Sequence, residues 1–410
     1  MRILAIPNAH ALAHVSRLLE IARELRELGH SVEFAGHGKY LEAASWDGFA
    51  IHELPYISVE RVVHAVRTQK LWELYREDEL ARFIDAERAL YAKTRAELVL
   101  IDNRPTARTS AELAGIPTVA VLNVHMSRYR RIPFFSYAQL FGSERMPGVQ
   151  LLDRAEKWLE GRLYDRLVMG DLNRLRKRHG LPRLDAYEHE EGDVSLLADI
   201  PEFNPVDDLP ANVHFVGPLT WHNQLPAPRC LDRLDPDRPT AYFTLGSEGL
   251  EDLLPDLGTL ASEGIQIVVA TGAAETSLEA PPGVYFERFV NANALLPHCD
   301  LVCCHGGNGT LYQALGFGLP LVVVATHAEQ HFGGKRIRQL GLGKAITLRH
   351  LRRKGIRELI GMIRDVLGDA SYRNAAQSFA EKLHGWDAPR RARDIILGQR
   401  GPDRAPAPPP

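Results

Sequence analysis

The part of this 410-residue sequence richest in chemistry is Asp300–Gly318, DLVCCHGGNGTLYQALGFG. An apolar run ends at Cys304, and His305-Gly306-Gly307-Asn308-Gly309-Thr310 leads into a helix-patterned segment carrying Leu311, Ala314 and Leu315. Glycines let backbone come close to an anion, while the free N–H groups and dipole of a helix start stabilise its charge. The Thr310 hydroxyl and a ring nitrogen of His305 add hydrogen bonds for phosphate oxygens. A turn that needs glycine only for strand-to-helix packing is the plain alternative. No Gly-Lys-Ser/Thr follows, which excludes a P-loop. A second group of candidates lies near the N-terminus, where His10, His14 and His30 flank one helical pattern and Asp102 follows the apolar run Leu98–Ile101. A neutral imidazole takes a hydroxyl proton near neutral pH, and does so better when a carboxylate holds its tautomer. Taken alone, Asp102 reads as a loop or capping residue.

The elements that must position these groups alternate between strand and helix. Ile3–Ile6 is an apolar run; Leu18, Ile21, Ala22, Leu25 and Leu28 recur at helical spacing up to Gly29; and Ser31–Ala35 opens a second strand. This βαβ pattern predicts a parallel sheet. Leu98–Ile101, Thr118–Leu122, Val194–Leu197 and Val213–Val216 read as further strands. Residues 219–240 hold four prolines among charges and read as a linker, with the Asp235-Pro236-Asp237 triplet as turn chemistry rather than a metal site. The alternation restarts with Ala241–Leu245, Ile265–Ala270, Val284–Phe286, Leu301–Cys304 and Leu321–Val324. The expectation is an α/β chain of two doubly wound domains, 1–218 and 241–397, with a disordered Pro-rich tail at 401–410.

Composition narrows the function classes. With 45% hydrophobic and 25% charged residues, intrinsic disorder, collagen and coiled coil are excluded. Forty-nine basic against 52 acidic residues leave a net charge of −3 and no field that would recruit nucleic acid. The run Arg174, Arg176, Lys177, Arg178 reads as a solvated helix face. Cys230, Cys299, Cys303 and Cys304 suit neither a disulfide framework nor a zinc site and read as buried thiols. The N-terminus lacks a signal-peptide pattern and no window approaches the ~20 apolar residues of a span, so a cytoplasmic protein is expected. The cluster Arg128–Phe141, with Phe134, Phe135 and Tyr137, reads as an acceptor mouth, as packing, or as a peripheral membrane contact.

HGGNGT, followed by ALGFGLPLVV and Glu329-Gln330, resembles the donor-site signature of family-1 glycosyltransferases, nearest to their bacterial natural-product branch. The resemblance is densest over residues 288–343. It implies the glycosyltransferase-B fold, two Rossmann-like domains facing a cleft, with final helices (about 369–397) packing back on the first domain. It also implies transfer of a sugar from a nucleotide diphosphate to a small-molecule hydroxyl. Carried onto this chain, it assigns the diphosphate to His305, Gly307, Gly309 and Thr310, with Gly306 and Asn308 in the same donor-binding loop, and the sugar hydroxyls to Glu329 and Gln330. Phe289 and Val290 fall at the base, Gly246 and Ser247 at a second phosphate loop, and Gln313 at the ribose. Two positions depart from the family pattern: Gln313 stands where Glu is usual, and Gly333 where Asn is frequent. Sixteen residues before His30, His14 matches the spacing of the family's base, with His10 as local competitor and acceptor-side residue, and Asp102 matches its orienting carboxylate.

The reaction so implied is a single inverting displacement that needs no metal and no cofactor beyond a UDP- or dTDP-linked co-substrate, glucose being the default sugar. The rival expectations are an epimerase or envelope glycolipid transferase of the same fold, and a non-catalytic nucleotide-sugar-binding partner protein. Oligomeric state and acceptor identity are open at this stage.

Overall fold

The computed structural model describes residues 1–68, 70–134, 148–244, 256–271 and 280–398. The chain divides into two units, one made of residues 1–219 and the segment from 386 onward, the other of residues 220–385. Each is an α/β unit around one wholly parallel sheet.

The first sheet runs β3-β2-β1-β4-β5-β6-β7. Its strands are β1 (Arg2–Pro7), β2 (Ser31–Gly36), β3 (Ile51–Glu53), β4 (Leu98–Asp102), β5 (Thr118–Leu122), β6 (Val194–Leu197) and β7 (Val213–Phe215). The second runs β10-β9-β8-β11-β12-β13, from β8 (Thr240–Thr244), β9 (Gln266–Ala270), β10 (Val284–Glu287), β11 (Leu301–Cys304), β12 (Leu321–Ala325) and β13 (Gly343–Thr347). In both, the order reverses beside the first strand, between β1 and β4 and between β8 and β11, which is where doubly wound sheets bind ligands. Helices cover both faces, so central strands are apolar on both sides. β4, β5 and β12 are buried at every position. Adjacent Cys303 and Cys304 point to opposite faces, yet both are fully buried, and burial pushes the Cys304 thiol up to about 12.

The two strands that escaped the pattern reading are edge elements. β3 has three residues with an exposed–intermediate–exposed pattern, and β13 is half-buried along most of its length. Neither carries the run of buried aliphatics that marks a central strand.

Two boundaries differ from the sequence reading. Residues 220–239 are strapped to the second unit rather than forming a free linker. Asn223 Nδ2 donates to the Val290 carbonyl at 3.0 Å, Asn291 Nδ2 to the Leu225 carbonyl at 2.7 Å, and Cys230 is buried. Asp235-Pro236-Asp237 is a turn, closed by the Asp237 N–H on Asp235 Oδ1 at 3.0 Å. Of the final helices, only Ala388–Ile396 belongs to the first unit, held by the Arg393–Glu24 pair at 2.7 Å and by Arg391 Nε on the Phe215 carbonyl at 2.8 Å. The helix Ala370–His384 stays with the second unit, where Arg373 pairs with Asp300 at 2.7 Å. Of the basic run, Arg176 is not solvated: it is buried, with Nη2 on Glu112 at 2.8 Å and Nη1 on Thr109 at 3.0 Å. The tail 401–410 lies outside the described residues.

A buried ion pair holds the loop after β4. Glu87, on the helix Glu77–Thr94, accepts from Arg104 Nε, Thr106 Oγ1 and Ser110 Oγ, each at 2.6 Å. Glu87 and Arg104 are both fully enclosed, and Arg104 also donates to the Pro55 carbonyl at 2.8 Å. Removing one partner leaves the other charge buried and unmatched, so Glu87→Ala is expected to destabilise the fold by about 3–5 kcal/mol, measured by denaturant melts.

Candidate active site

The first unit brings His14 and Asp102 together. β1 and β4 are neighbours with Pro7 opposite Asp102, so the loop after β1 and the last residue of β4 open on the same sheet edge. The loop after β1 runs into helix α1 (Leu12–Glu27), which places His14 in its first turn. His14 Nδ1 lies 2.6 Å from Asp102 Oδ1; Asp102 is buried and the imidazole is 20% exposed.

Arg17, one turn further along α1, was not singled out by the sequence reading. Its Nε and Nη2 meet Asp102 Oδ2 and Oδ1 at 2.8 and 2.6 Å, while Nη1 donates to Asn123. The only signal for it in the sequence is an arginine three residues after His14, on the helix face that is otherwise buried. This forked pair gives both Asp102 oxygens a partner at a site where a lone carboxylate would be costly. The tautomer of His14 follows. An ionised carboxylate only accepts and a guanidinium only donates, so the proton on Nδ1 goes to Asp102 Oδ1, although Arg17 Nη2 is 2.9 Å from the same nitrogen. Nε2 is left with its lone pair, as a general base requires.

His10 is held differently. Its Nε2 lies 2.6 Å from the Ile57 carbonyl, which fixes the proton there, and among the described residues no carboxylate is hydrogen-bonded to its Nδ1. Burial holds its imidazole below the ordinary value, opposed by that hydrogen bond. Its ring packs against Tyr56, 5.2 Å between centroids, so it lines the same loop cluster as His14 without the partner of a base. Beside it, Asn8 Nδ2 donates to Asn103 Oδ1 at 2.7 Å and Asn103 Nδ2 to Glu190 at 3.0 Å, two asparagines the sequence reading passed over. Two arginines of the basic and aromatic cluster are paired with acids further along the chain. Arg128 pairs with Glu188 and Glu191, Arg130 with Glu160, and the Arg130 guanidinium sits 4.6 Å from the Phe134 ring. Phe135 and Tyr137 lie outside the described residues, as do Gly246 and Ser247.

In the second unit β11 ends at Cys304 and the helix Asn308–Gly316 begins four residues later, with no side-chain cap from its N-cap residue Gly307. Gly306 has φ +96°, and a Cβ there would lie 2.7 Å from Val323 Cγ1. At Gly307 a Cβ would meet the His305 ring at 2.6 Å, which places that imidazole across the loop. At Gly309 it would meet nothing within 4 Å, so the helix start faces open space at that point. Asn308, Gly309 and Thr310 are half-buried there. Gly333 is a packing residue: a Cβ would lie 2.9 Å from the Gly306 carbonyl oxygen and from Leu311, so glycine lets the helix Ala328–Gln339 press against the loop.

The remaining candidates are spread around this loop. Phe289 is half-buried after β10, with the Arg288 guanidinium 5.5 Å from its ring, and Val290 is buried. Gln313 Nε2 points to the Trp221 carbonyl and Asn293 Oδ1, both at 3.4 Å. Glu329 is half-buried in the first turn of its helix, but Gln330 turns inward, its Oε1 accepting from the Thr326 N–H at 2.9 Å and Oγ1 at 2.8 Å. Its carbonyl oxygen therefore serves the turn after β12. Among the described residues no group of His, Cys, Asp or Glu is arranged to hold a metal ion. Arg17→Ala strands Asp102 and is expected to cost about 3–5 kcal/mol, with Asp102→Asn in the same chain recovering part of that loss in urea melts.

Residues 251–395 match the family model described as the erythromycin biosynthesis protein CIII-like C-terminal domain. Two mycobacterial relatives align over 388 residues, 93% of this chain. A Mycobacterium tuberculosis PGL/p-HBAD biosynthesis glycosyltransferase is 30% identical with 88% of its length covered, and a Mycobacterium bovis PGL/p-HBAD biosynthesis rhamnosyltransferase is 32% identical with 84% covered. The solved structure of the spinosyn rhamnosyltransferase matches with a TM-score of 0.69 at 18% identity, covering 97% of this chain and 100% of that one. That of the Streptomyces nogalater glycosyltransferase matches at 0.67 and 20%, covering 98% and 99%. With this architecture and these relatives, the chain belongs to the family-1 glycosyltransferases of glycosyltransferase-B fold, in their natural-product branch.

Proposed function

We propose that this glycosyltransferase is an inverting enzyme that moves a hexose from a nucleotide diphosphate to a hydroxyl of a small apolar or aromatic acceptor, with His14 as general base. The observation that carries this reading is the 2.6 Å contact of His14 with a buried carboxylate that Arg17 also grips. His14 Nε2 takes the proton of the acceptor hydroxyl, and its oxygen attacks the anomeric carbon. The bond from that carbon to the phosphate oxygen breaks, and the diphosphate leaves with the electron pair, inverting the centre. Charge developing on the leaving group is met by first-turn N–H groups at residues 308–310 together with His305 and Thr310, an electrostatic contribution that needs no metal. Glu329 supplies a carboxylate for sugar hydroxyls and Phe289 a face for the base. Because Gln330 is engaged with Thr326 through its oxygen, only its amide N–H groups remain for the sugar.

UDP and dTDP are both candidates for the nucleotide. For the sugar, the rhamnosyltransferase relatives set rhamnose beside glucose. A second reading, a non-catalytic nucleotide-sugar-binding protein, has one observation in its favour. A Mycobacterium bovis relative described as an inactive PGL/p-HBAD biosynthesis glycosyltransferase is 33% identical over 62% of this chain.

Thermal unfolding with UDP, dTDP and their glucose and rhamnose derivatives tests the donor without knowledge of the acceptor. Ligand at ~100 times its dissociation constant stabilises the fold by about 2.7 kcal/mol, a readable shift for one nucleotide series. No shift with any of them overturns the donor site. Once transfer is measured, Asp102→Asn is expected to lower kcat by about 10²–10⁴ with nucleotide binding retained, because an amide no longer holds the proton on Nδ1.

A further inference from the structure

The helix Val149–Leu167 carries the largest exposed apolar face among the described residues. Leu151 and Trp158 are 70% and 63% exposed, and Leu152, Leu159, Leu163 and Leu167 between 43% and 49%. A soluble surface scatters such residues singly, so six on one helix call for an occupant. The charges of the helix are sorted. Its other exposed residues are Arg154, Ala155, Arg162 and Arg166, and none of its carboxylates is exposed. Glu160 is bound by Arg130 and Tyr187 and Asp165 by Arg183, while Asp153 and Glu156 are half-buried; the one lysine, Lys157, is half-buried and pairs with Asp207 at 2.8 Å. Arg162 lies over the Trp158 ring at 5.4 Å, so that cation stays beside the apolar face. At 1.5 Å per residue the 19-residue helix presents a convex strip about 28 Å long.

We propose that this face docks the protein on an anionic lipid surface, the helix lying in the plane of the interface with its leucines and Trp158 in the headgroup–acyl boundary. Exposed leucine and tryptophan interspersed with arginines, whose long stems let the guanidinium groups reach the headgroups, and no fully exposed acid suit such a helix. A second copy of this chain is the poorer occupant, because a self-complementary contact sets the three exposed arginines against the same three with no exposed acid of the helix between them. The helix is not a span: among the described residues none is long and apolar enough to cross a membrane. Docking would bring the protein to acceptors held in the bilayer. It does not depend on the donor or the base proposed above, and its test uses neither.

Each arginine near an anionic surface contributes about fivefold to partitioning, so the three exposed here supply roughly a hundredfold. The full chain is sedimented with vesicles of phosphatidylcholine alone and with vesicles containing about one-third phosphatidylglycerol. Binding is expected to the anionic vesicles only, and to vanish near 1 M salt, where the screening length is about 3 Å. Trp158→Ser/Leu159→Ser/Leu163→Ser, and separately Arg154→Gln/Arg162→Gln/Arg166→Gln, are expected to lower that binding by about a hundredfold with unchanged circular dichroism, since all six positions are exposed. Absence of binding to either vesicle overturns the proposal, and so does equal binding to both. A concentration-dependent dimer dispersed by the Trp158 variant overturns it in favour of self-association.

Discussion

Every strand in both sheets runs parallel to its neighbours, and a parallel pair can be joined only by a crossover that travels the length of the sheet. Much of the molecule follows from that constraint. The crossovers are helices on both faces, so the central strands are apolar on both sides and tolerate residues such as Cys303 and Cys304 side by side. All carboxyl ends of a sheet lie along one edge, and the loops that carry polar chemistry gather there. His14 and Asp102 meet at that edge of the first sheet, and the loop His305–Gly307 opens on the corresponding edge of the second. Where the strand order reverses, adjacent crossovers leave in opposite directions and a crevice opens between them.

Within that frame the first site is organised by one buried negative charge. Asp102 is almost wholly enclosed, and the cost of enclosing a carboxylate is met by a two-pronged contact with Arg17. With its oxygens held by Arg17, Asp102 accepts from His14 Nδ1, which leaves the Nε2 lone pair for a substrate proton. A comparable logic of commitment applies in the second unit. Gln330 spends its oxygen on Thr326, Gln313 directs its amide to the strap over residues 220–239, and Gly333 gives up a side chain so that a helix can reach Gly306. The departures at Gln313 and Gly333 from the family pattern are thus packed features of this chain rather than vacant positions.

The helix Val149–Leu167 follows a different logic. Elsewhere in the first unit some ion pairs neutralise buried charge, as at Glu87 with Arg104 and at the buried Arg176 with Glu112. Along this helix they engage Glu160 and Asp165, while the fully exposed positions hold arginine, leucine and tryptophan and no acid. The pattern reads as surface composition sorted by sign, which packing alone does not require.

By itself the sequence determined the α/β class, the positions of the central strands and the glycine-rich loop that leads into a helix, because each depends on residues close together in the chain. A buried parallel strand is a short aliphatic run, and Gly306–Gly309 needs only its own backbone freedom and the helix that follows. The edge strands β3 and β13 were illegible because half-exposed strands carry no such run. The residues of the first site were legible as types but not as partners. Whether His14 or His10 has an orienting carboxylate is decided by Asp102, 88 residues further on, which the pairing of β1 with β4 brings to 2.6 Å. Arg17 gave no separate signal, since its task exists only once Asp102 is enclosed. Tautomer, charge state and the direction of a side chain are set by contacts between distant segments, and those the tertiary structure alone decided.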